Sequence, residues 1–395
     1  MFLANGFVMG AWAPQIPLLM PRHQVTESTL GLLILVLGVG AVSAMLFAGK
    51  LIARFGGRAV LSVFSLALIP VLPMVVFSPN LSQLALFMAV FGAMVGCMDV
   101  AMNAQAVEIE RKLDRSIMSS SHGFWSLGGF FGGSAGSFVI AYWGSEVQSL
   151  LTAAVVAVLV LAAMPFLLPG SPAVPATEVQ PVKGPSLFPR DFHVWLLGFL
   201  ALFSMVPEGA VLDWAAIYLQ KELGSDVFVS GLGFAFFAGA MAVMRFAGDS
   251  VRNRFGAVQT LRVSGLVGAA GMMGGALAPN DWVAIASFAL AGLGVANMVP
   301  ILFSAAGNHP RLPSASAISI VTMVGYCGIL VAPSSIGFLA EHIGFRPTYA
   351  GLSLLLVIVA LLAARAADAD ELRRLAGPCP ARQPEGVQSG PATPG

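Results

Sequence analysis

Twelve runs of predominantly apolar residues recur along the 395-residue chain, at about 1–20, 29–49, 59–78, 81–107, 116–143, 147–168, 192–220, 227–247, 258–278, 282–304, 314–338 and 347–366. Roughly twenty apolar residues in a helix cover the hydrocarbon thickness of a bilayer. Inside that layer every backbone N–H and C=O must find a partner within the protein, which admits helices and closed barrels alone. The pattern predicts an all-α membrane protein with twelve transmembrane helices. Charge agrees: 10% of the residues are charged and 57% hydrophobic, against about 25% charged in soluble domains. The lipid bilayer is therefore an expected partner. A net charge of +1 with no long basic tract points to no nucleic-acid partner. The 44 glycines suit helices that approach closely in lipid.

Cys97 and Cys327 fall in apolar runs and Cys379 in a polar stretch, so neither a disulfide nor a metal site is expected. Residues 1–20 lack a basic leader region and carry Pro14 and Pro17, which fits a kinked spanning helix better than a cleaved signal. The Pro-rich stretch from Pro169 to Arg190 reads as a linker between two six-helix halves, residues 1–168 and 191–366. Residues 367–395 read as a largely disordered tail, Pro/Gly/Ser-rich from Gly377. An even number of crossings puts both termini on one side. Placing them in the cytoplasm leaves Arg22, Lys221 and Arg346 in outer loops and the other 17 of the 20 Lys and Arg inside, the bias expected of a multi-pass inner (plasma) membrane protein.

The halves repeat. Arg54-Phe55-Gly56 recurs as Arg254-Phe255-Gly256, each after the second helix of its half. Trp12 has a counterpart in Trp214, and Gly123-Phe124 in Gly325-Tyr326. Two parallel six-helix repeats around a midplane site form an architecture for alternating access.

Of the 19 acids, Asp99, Glu208 and Asp213 lie well inside the apolar runs. An ionised group at mid-membrane costs roughly 2.5–3.5 kcal/mol on the lenient insertion scale, so such groups normally face a cavity or a partner. Asp99 and Asn103, four residues apart, share a helix face. Asp99 stands nine residues before Glu108, about 13 Å deep at the helical rise. His122, at the start of the returning helix, reaches a similar depth; it is placed to pair with Asp99 across the hairpin, the alternative being a hydrogen bond to a backbone carbonyl near the interface. Glu208 sits near the middle of the seventh run, flanked by Pro207 and Gly209, the setting of a broken helix lining a cavity. Asp213 is about 140° around that helix from Glu208, nearer the outer surface, where it would act as a gate residue or pair with Lys221 or a neighbouring helix. Proton coupling is assigned to Asp99, Glu208 and His122. Candidate solute ligands are Asn103, Asn297 and Gln15, with Trp12, Trp125, Trp214 and Tyr326 as an aromatic lining; interfacial placement or core packing is the alternative for each ring. Ser119-Ser120-Ser121-His122 is no nucleophile arrangement, because neighbours on a helix point apart. No phosphate-cradling loop or metal-ligand cluster appears. No enzymatic activity and no cofactor are expected.

On these residues the chain resembles the major facilitator superfamily over about residues 1–366. The stretch Gly49-Lys50-Leu51-Ile52-Ala53-Arg54-Phe55-Gly56-Gly57-Arg58 is similar to that family's signature loop, with Ala53 where its aspartate usually stands. Gly248-Asp249-Ser250-Val251-Arg252-Asn253-Arg254-Phe255-Gly256 resembles a degenerate second copy. The resemblance implies gating roles for Gly49, Arg54, Gly56, Arg58, Asp249 and Arg254. Within the family, Asp99-Val100-Ala101-Met102-Asn103, Phe124-Trp125-Ser126-Leu127-Gly128 and Glu208-Gly209 look like the fucose:proton symporter group and the YbjJ-like proteins. That group carries an acid in its first helix, where this chain offers Asn5 and Gln15. The implied function is proton-coupled symport of a small polar solute, a sugar or related metabolite, by a monomeric carrier. Gly128-Gly129-Phe130-Phe131-Gly132-Gly133 resembles an antiporter motif that has proline at its second position, so proton-coupled efflux is the alternative. A non-transporting sensor of the same fold is a third reading, for which the linker and tail offer little signalling apparatus.

Overall fold

The computed structural model describes residues 1–113, 117–168, 191–312 and 314–370. The expected linker 169–190, the tail from 371 onward and Cys379 lie outside the described residues. Among the described residues, helices are the regular structure throughout. Helices α1 (Phe2–Trp12) and α2 (Ile16–His23) form the first crossing, joined by a 3-10 turn at Ala13–Gln15 that holds Pro14; a proline there withdraws one backbone donor. The second crossing is α3 (Glu27–Phe55). The third is α4 (Gly57–Leu68) with α5 (Val71–Val76), broken at Pro70. The fourth is α6 (Leu81–Leu113). Helix α7 (Met118–Ala163) makes the fifth and sixth, turning at Gly144. Then follow α8 (Phe192–Leu223), α9 (Val227–Phe255) and α10 (Ala257–Ala276). The tenth crossing is α11 (Asp281–Val295) with α12 (Met298–Gly307); α13 (Ser314–Ile343) and α14 (Phe345–Leu361) complete the set.

Eight of the described segments are by themselves long and apolar enough to span a bilayer. The difference from twelve has local causes. Two crossings are merged in α7, the first is split at Pro14, α10 is diluted by Gln259 and Arg262, and α14 has 17 residues.

The repeat is deeper in the backbone than in the sequence. Gly56 and Gly256 take φ of 83° and 80°, and Gly144 and Gly344 take 88° and 85°. Each pair is 200 residues apart and reverses the chain between corresponding helices, at a φ that glycine alone adopts without a Cβ clash. The Arg54 guanidinium lies over the Phe55 ring at 5.2 Å, and Arg254 over Phe255 at 5.5 Å. The end of the bundle bearing the Gly56 and Gly256 turns is here the basic end. There Ala363–Asp370 forms a 3-10 helix, and the Asp370 carboxylate accepts the Ala257 N–H at 2.8 and 3.0 Å. The first residues of the expected tail are thus docked on the first turn of α10.

The two halves meet mainly along α7 with α9 and α3 with α13. Within the first half, α1 packs on α7 through glycine: a Cβ on Gly128 would lie 2.3 Å from the Leu3 carbonyl oxygen, and one on Gly132 2.2 Å from that of Phe7. At the end opposite the basic one the halves are clasped. Lys221 pairs with Glu27, and the Ser28 N–H donates to Glu341 Oε2 at 2.9 Å.

Candidate functional site

Near the middle of the bundle, polar side chains from both halves form one chain of contacts. On α6 the Asn103 Nδ2 donates to the backbone carbonyl of Asp99 at 2.9 Å. A carbonyl only accepts, which fixes the amide and turns Asn103 Oδ1 outward. That oxygen meets His122 Nε2 on α7 at 3.1 Å, so Nε2 is the ring nitrogen that carries hydrogen. One helical turn on, Ser126 Oγ donates to the His122 carbonyl at 3.3 Å. The same hydroxyl accepts from Arg245 Nη1 of α9 at 2.6 Å, crossing from one half to the other. Arg245 Nη2 reaches Glu208 Oε1 on α8 at 3.4 Å. The Tyr326 ring of α13 is within electrostatic reach of both Asp99 and Glu208.

These positions follow from helix geometry. Glu208 is sixteen residues past the start of a 32-residue helix that runs on through Pro207 and Gly209 without the expected break, and Asp99 eighteen past the start of a 33-residue one. Both fall near the middle at 1.5 Å per residue. Asp99, Asn103, Glu208, Arg245 and Tyr326 are partly exposed, with side-chain exposures of 26% for Glu208 and 15% for Arg245. Polar groups at this depth, partly exposed and bonded to one another across the two halves, are placed as those lining an interior cleft are, not as lipid-facing residues.

The expected direct pair of Asp99 with His122 is not among the described contacts: the His122 ring goes to Asn103 Oδ1, while the Asn103 amide N–H goes to the backbone carbonyl of Asp99. Trp125 belongs to the cluster, partly exposed, its Nε1 donating to Asn5 Oδ1 at 2.9 Å. Other expected members lie elsewhere. Gln15 is buried and donates to the Ser145 carbonyl and to Gln148, whose amide donates to the Ala11 carbonyl, a lock between the first and sixth crossings. Trp12 is 0% exposed and packs edge-on to Phe91, while Trp214, also 0% exposed, packs by Phe345; both rings are interior packing of their own half. Asn297 is buried at the break between α11 and α12, its amide 3.4 Å from the Met244 carbonyl and against Gly248. Asp213 is buried on another face of α8, near Tyr349. It does not pair with Lys221, which goes to Glu27. Among the gating candidates, Arg54, Arg58 and Arg254 are exposed at the basic end, Gly49 faces open space, and Gly56 makes the turn. The Asp249 side chain lies outside the described set.

Sequence reasoning missed Arg245. It lies near the end of an apolar run, where a cation normally snorkels to the interface. The available signal was Glu208: a mid-membrane carboxylate needs a counter-charge, and Arg245 is the cation nearest mid-depth in the neighbouring crossing.

The family model for the Major Facilitator Superfamily matches residues 1–314. An uncharacterised MFS-type transporter of Yersinia pestis is 37% identical over 362 residues, 91% of this chain and 92% of its own length. The membrane protein MosC of Rhizobium meliloti is 32% identical over 359 residues, 90% of this chain and 85% of its own. Among solved structures, a D-xylose–proton symporter superposes with a TM-score of 0.70 at 18% identity, covering 92% of this chain and 94% of that one. The nucleoside transporter NupG superposes with a TM-score of 0.70 at 13% identity, covering 92% and 96%.

Proposed function

Because this chain belongs to the major facilitator superfamily and is a multi-pass membrane transporter, we propose that it carries a small polar solute into the cell together with protons. One observation carries the reading: a continuous run of polar contacts joins the region of Asp99 in one half to Glu208 in the other, at mid-depth and across the interface that must rock. Asp99 is the main proton carrier. It is partly exposed, and no cation is bonded to its carboxylate among the described contacts, whereas Glu208 is answered by Arg245. Asn103, Trp125 and Tyr326 line the solute site; His122 holds the amide of Asn103 in register. The clasp opposite the basic end suits a carrier closed outward, with the basic end and both termini in the cytoplasm. The D-xylose–proton symporter and NupG of similar fold support a sugar-like or nucleoside-like solute, as does the resemblance of the Asp99–Asn103 segment to the fucose:proton symporter group.

The efflux alternative leans on Gly128 to Gly133. In the structure Gly128 and Gly132 are occupied by contact with α1, and Gly129 and Gly133 by Ala238 and Ala235 of α9. Packing accounts for these four glycines without an antiport role.

The test starts from a thermal-shift screen of purified protein against sugars, polyols, nucleosides and organic acids, since a ligand at about 100 times its Kd adds roughly 2.7 kcal/mol. With the best hit, Asp99→Asn in proteoliposomes is expected to abolish accumulation driven by a pH gradient while retaining counterflow exchange. Undiminished gradient-driven accumulation in that variant removes Asp99 from the mechanism.

A further inference from the structure

Arg245 has more hydrogen-bonding capacity than its contacts use. A guanidinium offers five N–H donors in a planar fork. Among the described residues Nη1 goes to Ser126, and Nη2 makes a single contact of 3.4 Å with Glu208. A carboxylate that engages arginine fully does so with two parallel bonds of about 2.7–2.9 Å. Glu208 therefore holds the guanidinium loosely and stays partly exposed itself. Nearby, Asn5 Nδ2 is buried without a partner, and its amide is oriented by the bond from Trp125.

Charge makes this looseness selective. A neutral solute leaves the Arg245–Glu208 pair as it is. A solute carboxylate competes for the same fork and releases Glu208 at mid-depth with no counter-charge, which disfavours its ionised form. Taking one proton from bulk water removes that penalty. The solute then brings one negative charge, the proton one positive charge, and the charge of the cleft is unchanged.

We propose that the solute of this cleft is a small hydroxylated monocarboxylate, gripped by Arg245 in the place Glu208 occupies in the structure, with Glu208 taking a proton as the solute arrives. Asn103, Tyr326 and the Trp125 ring meet its hydroxyl-bearing part. The inference rests on the carrier reading and narrows its solute class.

Calorimetric titration of the purified full chain tests it. The probes are D-glucuronate, D-glucose and D-glucosamine, which put a carboxylate, a hydroxyl or an ammonium on one ring, together with D-gluconate, quinate and lactate. Two buffers of different ionisation heat count the protons. The strongest binding is expected among the carboxylates, with close to one proton absorbed. Arg245→Gln should weaken it about ten- to a hundredfold, the worth of a charge-assisted hydrogen bond. Should that variant not fold, Arg245→Lys keeps the charge, loses the fork and should still weaken binding. Glu208→Gln should bind without absorbing the proton. The inference is overturned if no carboxylate binds, if the neutral or amino sugar binds best, or if carboxylate affinity ignores Arg245. A neutral sugar accumulated under a pH gradient through Asp99 would end this inference and leave the carrier reading intact. Carboxylates that bind through Arg245 yet never cross a vesicle membrane would do the reverse.

Discussion

Asn103 supplies the acceptor for the His122 ring that sequence spacing would have joined to Asp99, and its own N–H is held by the Asp99 backbone carbonyl. Removing it leaves the His122 Nε2–H without its acceptor. Asn103→Ala should therefore lower stability by about 1 kcal/mol, the usual range for polar contacts between membrane helices. It should also uncouple the ring: His122→Phe should cost less in the Asn103→Ala background than alone. Thermal unfolding of the four proteins in one detergent gives the cycle, and strict additivity would mean that the bond contributes nothing.

At the scale of the element, the helices differ in how much room their glycines have. A Cβ on Gly132 would lie 2.2 Å from a backbone oxygen of α1, and backbone does not swing aside as a side chain does. Gly132→Ala should push α1 from α7 and cost about 1–3 kcal/mol, as overpacking does. Gly49 has nothing within 4 Å of the same added atom, so Gly49→Ala should leave the melting temperature unchanged or slightly raised, since alanine is the better helix former. Melting of the two variants side by side checks this; equal losses would refute the packing account. The breaks in the helices have equally local reasons, a proline at Pro14 and at Pro70, and Asn297 turned toward the Met244 carbonyl of α9.

For the whole molecule, the clasp opposite the basic end is built from contacts that break when the halves rock. Glu27 is the more buried partner of its pair, with 12% side-chain exposure against 49% for Lys221. Glu341 caps the start of α3 from the other half. Glu27→Gln combined with Glu341→Gln should therefore shift the balance of closed and open forms toward the form open at that end. Distances between spin labels placed on either side of the clasp should lengthen; an unchanged distribution would show that apolar contacts such as Gly31 against Pro333 hold it alone.

The membrane class and the helical repeat were legible in the chain itself, as was the placing of Asp99 and Glu208 within spanning helices. Twenty-residue apolar runs admit few structures in lipid, and an acid within them stands out against its own neighbours. The Arg54 and Arg254 turns announced the repeat, while the matching Gly144 and Gly344 needed their φ values to be recognised as partners. Which polar residues share a site was a different matter. Gln15 and Asn297 read like solute ligands in sequence, yet one locks two helices together and the other, at a break, reaches a carbonyl of α9. Arg245 read like an interfacial cation, yet it bridges the halves. Helix periodicity sets the face on which a residue lies, and hydropathy sets its depth. Which face meets the cleft depends on how helices hundreds of residues apart pack, and that the tertiary structure alone decided.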